Sequence, residues 1–169
     1  MKVTRVASDL ATTHDQIARV FRKKGQNDDA LQALAQARTI QQKLVQLHAD
    51  APEFASALGG TLTSIGSIHH DLGRLDDAVA SFGKAREVLE VIANDQPAAS
   101  QYQQDLWAVH RELASVFAKK GDFDSSIGSA RQALGIAEKL VHENPTVTDF
   151  QWTLARSLHG LAYHLSDNK

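Results

Sequence analysis

The chain has 169 residues, with 18 Lys and Arg against 20 Asp and Glu, a net charge of −2 and a pI near 6.4. That balance argues against nucleic acid as a partner, because phosphate neutralisation supplies most of such a protein's affinity, and the absence of Cys excludes disulfides, thiolate metal sites and a cysteine nucleophile. Apolar residues at 43% and charged residues at 22% mark a globular chain; no apolar run approaches the roughly 20 residues that span a bilayer, and MKVTRVASDL lacks the apolar core of a secretory signal, so a soluble, cytoplasmic protein with no membrane partner is expected.

Ala, Leu, Gln, Arg, Lys, Asp and Glu dominate, a composition that favours helix when summed over long windows. The first predicted helix carries Val3, Val6, Leu10, Ile17, Val20 and Phe21 three or four residues apart, with Thr13 filling one step. Gly25 ends it, since glycine takes the left-handed conformation past a helix C-terminus without a Cβ penalty. Asp28 is expected to cap the second helix, which carries Ala30, Leu31, Leu34, Ala37 and Ile40. Pro52 then marks the passage to the next pair.

The pattern repeats. Gly25, Gly73 and Gly121 stand 48 residues apart, each followed three residues later by an Asp expected to cap the next helix: Asp28, Asp76 or Asp124. Leu10, Leu58, Leu106 and Leu154 fall in the same register, as do Ile17, Ile65, Leu113 and Leu161. A small residue follows each of the latter: Ala18, Gly66, Ala114 and Ala162. These small residues are expected where helices cross most closely, because a larger side chain there overpacks. Pro97 and Pro145 repeat at 48, but Pro52 is displaced from them; the reading is that the second helix of the first unit is longer by about three residues, with a shorter loop. The units are 3–50, 51–98, 99–146 and a partial 147–169, within one domain of residues 1–169. Lys169 falls where the next turn glycine is due, which suggests a fragment of a longer array whose uncapped ends promote self-association, the stripe Phe150, Leu154, Leu158, Leu161 and Leu165 being covered on one side only.

The signature positions of the first unit are Ile17, Ala18, Phe21, Gly25, Ala30, Leu34 and Ala37. In the second they are Ile65, Gly66, His69, Gly73, Ala78, Phe82 and Ala85, and in the third Leu113, Ala114, Phe117, Gly121, Ser126, Ala130 and Ala133. At these offsets the chain resembles the tetratricopeptide repeat family. It departs from the family in its period, 48 rather than the usual 34, in His69, which replaces an aromatic or aliphatic residue, and in Ser126, which replaces Ala. The phrases PTVTDF, ALGIAEKL and ARTIQQKL look like long bacterial repeats of the family. The resemblance implies an all-α, right-handed superhelical solenoid of antiparallel helix pairs, about three and a half repeats long. It implies a non-enzymatic scaffold that binds a peptide or protein on its concave face or, alternatively, a regulatory or substrate-recruiting segment of a larger bacterial enzyme such as a Ser/Thr kinase.

In the family the first helix of each pair lines the concave wall. Carried over by register, the peptide-binding candidates are Arg19, Arg22 and Lys23, then Thr63, Ser67 and His70, then Arg111, Ser115 and Lys119, and lastly Arg156, His159 and Tyr163, with Thr12, Asp15 and Asp71 beside them. Six are Arg or Lys in a slightly acidic chain, which suits an acidic peptide or a C-terminal carboxylate. The Asn/Lys carboxylate clamp of some chaperone-binding members is not matched. The bland reading of each candidate is a solvated helix face.

No enzymatic or metal chemistry is signalled. His69, His70 and Asp71 are adjacent and diverge on a helix, and His159 and His164 are five apart. No GxSxG elbow, HExxH or phosphate loop occurs, and GSARQALG and GGTLTSIG lie within helices. No cofactor is expected. Trp107 and Trp152 read as packing residues. Lys23-Lys24 and Lys119-Lys120 end helices, where cations suit the dipole.

Overall fold

The computed structural model describes residues 2–166, so the expectation for Lys169 lies outside the described residues. Among the described residues seven helices follow in order: α1 Lys2–Lys23, α2 Asn27–Leu47, α3 Pro52–Asp71, α4 Leu75–Asp95, α5 Ser100–Lys120, α6 Phe123–Glu143 and α7 Thr148–Ser166. No strand occurs among the described residues. The fold is an all-α helical repeat.

The turn within each pair is built the same way three times. Gly25, Gly73 and Gly121 have φ of 75°, 72° and 78°, the left-handed region that glycine enters freely. At each, the following N–H reaches back five residues: Gln26 to Phe21 O at 3.0 Å, Arg74 to His69 O at 2.9 Å and Asp122 to Phe117 O at 2.9 Å. The glycine N–H bonds three residues back, to Arg22, His70 and Ala118. These two bonds form a Schellman closure and satisfy carbonyls that the ending helix leaves open.

The next helix begins two residues after each glycine, so Asp28, Asp76 and Asp124 lie inside its first turn rather than at its cap. They face the positive end of the dipole from there. The carboxylate that caps α6 is Asp122, whose side chain accepts the Ser125 N–H at 3.2 Å. Hydrogen bonding from Ser125, with the charge of Lys120 nearby, holds the Asp122 carboxyl below the usual range.

The second helix of the first unit is not longer. Helices α2, α4 and α6 each have 21 residues. The turns after them are alike too, closed by Ala51 N–H to His48 O, Ala99 N–H to Gln96 O and Val147 N–H to Asn144 O. Pro97 and Pro145 occupy the second residue of that turn, where a fixed φ is already required. In the first turn Ala49 stands there, and the proline moves to Pro52, the first position of α3, where its missing N–H is not needed. Proline has changed place within a constant frame.

The chain divides into two compact units, Met1–Val88 and Leu89–Lys169, with the division inside α4. In the first, Ala18, Ala30, Ala33, Leu34, Ile65 and Ile68 form a core, with Phe21 and Leu31 packed against it. Gly66 faces Phe82 so closely that a Cβ at 66 would stand 2.7 Å from the ring. In the second, Trp107, Ala133 and Ala137 pack with Ala108, Ile136 and Leu154. Ser126, where the family pattern has Ala, donates its hydroxyl to Ala114 O at 2.8 Å and so pairs its polar atom in full burial.

Two expectations about packing need correction. The stripe Val3, Val6, Leu10, Ile17 and Val20 on α1 is largely exposed, because among the described residues no helix covers that side. Ala162 is also exposed, unlike Ala18, Gly66 and Ala114, which are buried. On α7, Phe150 is buried and Leu154 and Leu161 half-buried, while Leu158 and Leu165 are open.

Candidate functional site

In the second unit, helices α5 and α7 bring two arginines onto one indole. Trp107 lies on α5, and Arg111 follows it by one turn, so its side chain returns over the ring. Arg156 comes from α7. The two guanidinium carbons stand 5.4 Å and 5.5 Å from the Trp107 ring. Cation–ring contacts of this kind are worth about 0.5–1 kcal/mol each at exposed sites, enough to bias side chains that are otherwise free.

The ring itself is held from below. Its Nε1–H donates to Ser157 Oγ at 2.8 Å, and the Ser157 hydroxyl donates to Thr153 O at 2.8 Å. Trp107 and Ser157 are both buried, whereas both arginines are exposed. Arg111 also pairs with Glu112 at 2.5 Å, so the group carries two positive charges and one negative. The cavity beneath, lined by Trp107, Ser157, Gly160 and His164 among others, holds about 20 Å³. That is room for about one water, so any larger ligand lies on the arginines and not under them.

Of the other candidates on these helices, Lys119 and His159 are exposed, Ser115 is half-buried, and Tyr163 is exposed with its ring edge-on to His164 at 5.4 Å.

The first unit has a different arrangement. A groove of about 310 Å³ runs between α1 and α3 beside Thr12, Asp15, Arg19, Thr61 and Ser64. Asp15 accepts hydrogen bonds from Thr61 Oγ1 at 2.8 Å and from Gln41 Nε2 at 3.1 Å. Burial pushes its carboxyl above the ordinary range, with the two hydrogen bonds opposing the shift. Arg22 is committed to Asp71 at 2.6 Å. Thr63 returns its hydroxyl to Gly59 O at 2.8 Å. Arg19 and Lys23 are exposed, and Ser67 and His70 half-buried. The structure thus joins Arg111 with Arg156, and Arg22 with Asp71.

Sequence reading passed over Trp107 as packing. The signal was present in its spacing of four from Arg111. Arg156 stands 49 residues on from Trp107, one beyond the period.

Residues 60–87 match the tetratricopeptide repeat family model. Over that stretch the chain is similar to a tetratricopeptide repeat. The match takes in the end of α3, the glycine turn and the first part of α4, the stretch that places Gly66 against Phe82. Tetratricopeptide repeats generally mediate protein–protein interaction and are typically non-catalytic. A search of curated proteins finds no match. Among solved structures, the crystal structure of BtubC (BKLC) from P. vanneervenii is similar, with a TM-score of 0.71 at 16% identity over 94% of this chain. This chain spans 56% of that protein, and the likeness is one of fold. The designed helical repeat protein DHR64 aligns over 98% of this chain and 82% of its own, at 12% identity and a TM-score of 0.48. Among the described residues no helix is long and apolar enough to cross a membrane.

Proposed function

We propose that this chain is a non-enzymatic scaffold that holds a carboxylate, in an acidic peptide or at a peptide C-terminus, on the arginines of α5 and α7. The observation that carries the reading is the placing of Arg111 and Arg156 over one buried, hydrogen-bonded indole. A guanidinium offers paired N–H donors matched to a carboxylate. Resting on a fixed ring, two of them lose less freedom on binding than two solvated side chains would. Ser115, Lys119, His159 and Tyr163 extend the same surface, and Arg19, Arg22, Lys23, Thr63, Ser67 and His70 are the corresponding candidates of the first unit.

The test is a calorimetric or fluorescence titration with a panel of Glu- and Asp-rich peptides, each with a free and an amidated C-terminus. Binding is expected to weaken as salt is raised and to fall about tenfold or more when Arg111→Ala and Arg156→Ala are combined, each charged hydrogen bond being worth roughly 1.5–3 kcal/mol. Binding that ignores both salt and the double substitution would dismiss the reading.

A further inference from the structure

The groove between α1 and α3 in the first unit is rich in hydrogen-bond acceptors. Three hydroxyls stand along it, and each spends its proton inside the fold. Thr12 Oγ1 donates to Ser8 O at 3.0 Å, Ser64 Oγ to Gly60 O at 3.0 Å and Thr61 Oγ1 to Asp15 Oδ1 at 2.8 Å. What remains available on these oxygens is lone pairs. The donors along the groove, Gln16 and Arg19, are both exposed on α1.

Asp15 adds a carboxylate, half-buried and held by two other helices. Its Oδ1 takes the bond from Thr61 of α3, and its Oδ2 takes one from Gln41 Nε2 of α2 at 3.1 Å. Gln41 is 3% exposed, and its Oε1 is buried with no partner. The fold thus keeps a donor on Asp15 and leaves a buried acceptor unsatisfied beside it, an arrangement that favours charge on the carboxylate. Arg19, one turn along α1, acts on Asp15 through charge alone. Burial outweighs all of these influences, so the carboxyl stays above its ordinary range and its charge is under-compensated.

We infer that this groove binds a primary ammonium group, on a lysine side chain or a free peptide N-terminus, with Asp15 as its counter-ion. An ammonium brings three donors and no acceptor, the complement of such a wall. A guanidinium is served best by both oxygens of one carboxylate in a plane. Here each oxygen of Asp15 already holds a bond from a different helix, which favours a compact point charge. A divalent cation asks for more anionic oxygen than one carboxylate supplies. The groove, at about 310 Å³, has room for the chain that carries the ammonium. Gly60 keeps its α3 side clear, since a Cβ there would meet nothing within 4 Å. The site belongs to the first unit, has the opposite charge to the arginine pair of α5 and α7, and does not rest on that reading.

An NMR titration of the isotope-labelled whole chain at neutral pH tests this with four short glycine peptides. One is capped at both ends and carries a single lysine, the second carries acetyllysine in its place and the third arginine. The fourth has no lysine and a free N-terminus. The backbone amides of Asp15, Gly60 and Thr61 should shift saturably, with a Kd of about 1 mM, for the lysine peptide or the free N-terminus, and which of the two binds names the source. Asp15→Asn should weaken binding about tenfold or more without lowering the melting temperature, because Asn still accepts from Thr61 and its amide can donate to Gln41 Oε1. Arg19→Gln removes a competing charge and should tighten binding about twofold, a gain that misfolding does not imitate. The inference is overturned if neither amine peptide shifts these signals in the parent or in Arg19→Gln. Equal binding by the acetyllysine or arginine peptide overturns it too, as does binding that survives Asp15→Asn.

Discussion

Gly66 lies against the ring of Phe82, and a Cβ at residue 66 would stand 2.7 Å from Cε1 and 2.8 Å from Cδ1. Phe82 is fully buried and has little room to yield. In an open helix Gly→Ala gains about 0.5–1 kcal/mol; here overpacking costs about 1–3 kcal/mol, and the clash decides the sign. Gly66→Ala should lower the melting temperature by a few degrees. Adding Phe82→Leu, which removes the ring that clashes, should make the alanine substitution nearly neutral or stabilising when compared with Phe82→Leu alone. A thermal-melt cycle of the four proteins measures the coupling.

Ser157 offers a test of the surface under the arginines. Ser157→Ala would leave the buried Trp107 N–H without its acceptor. Leaving a buried donor unsatisfied costs about 1–3 kcal/mol. Urea unfolding should show that loss at constant slope. If the indole is what orients the two guanidiniums, peptide binding should weaken in this variant although both arginines remain.

Asp15 makes the first unit sensitive to pH. Its carboxyl is raised above the ordinary range by burial. The folded state therefore holds the proton more tightly than the unfolded state, and this group's contribution falls as pH rises from the ordinary carboxylate value through the raised one. Asp15→Asn removes the titration. The stability difference, parent minus variant, should decline as pH rises from the ordinary carboxylate value through the raised one and then level off. Urea midpoints across that range check it, and a difference that grows with pH would contradict the assignment.

Asp122 has the opposite sign. Its carboxyl is lowered by the hydrogen bond from Ser125. Its capping contribution is present above the ordinary carboxylate range and is lost as pH falls through the depressed value. Asp122→Ala should melt earlier than the parent at neutral pH, and the gap should narrow in acid.

Much of the fold was legible because its determinants are local. A glycine past a helix end states where the chain turns, and three of them in register gave the helix pairs and the 48-residue step. What failed was also local but ambiguous. Displaced Pro52 was read as a change in helix length, when either of two places in the same tight turn tolerates a fixed φ. Asp28 and Asp124 were read as caps, and Asp122 was missed, because helices starting so soon after glycine leave one residue less than expected. The candidate site was half legible. Register placed Arg111 and Arg156 on first helices of neighbouring pairs, but periodicity does not report that a buried indole lies between them. The open stripe on α1 was beyond reach for a related reason: spacing records which side chains favour a neighbour, not whether one is present.

Every glycine turn and every linking turn has the same form, so the chain reads as a cassette. Cutting or splicing it in whole steps of 48 residues, at any phase of the cycle, would reproduce junctions it already contains. Gene duplication or deletion in such steps can then alter the number of modules without inventing a new turn between them. A laboratory seeking a longer or shorter version need only respect the interval, not the starting point.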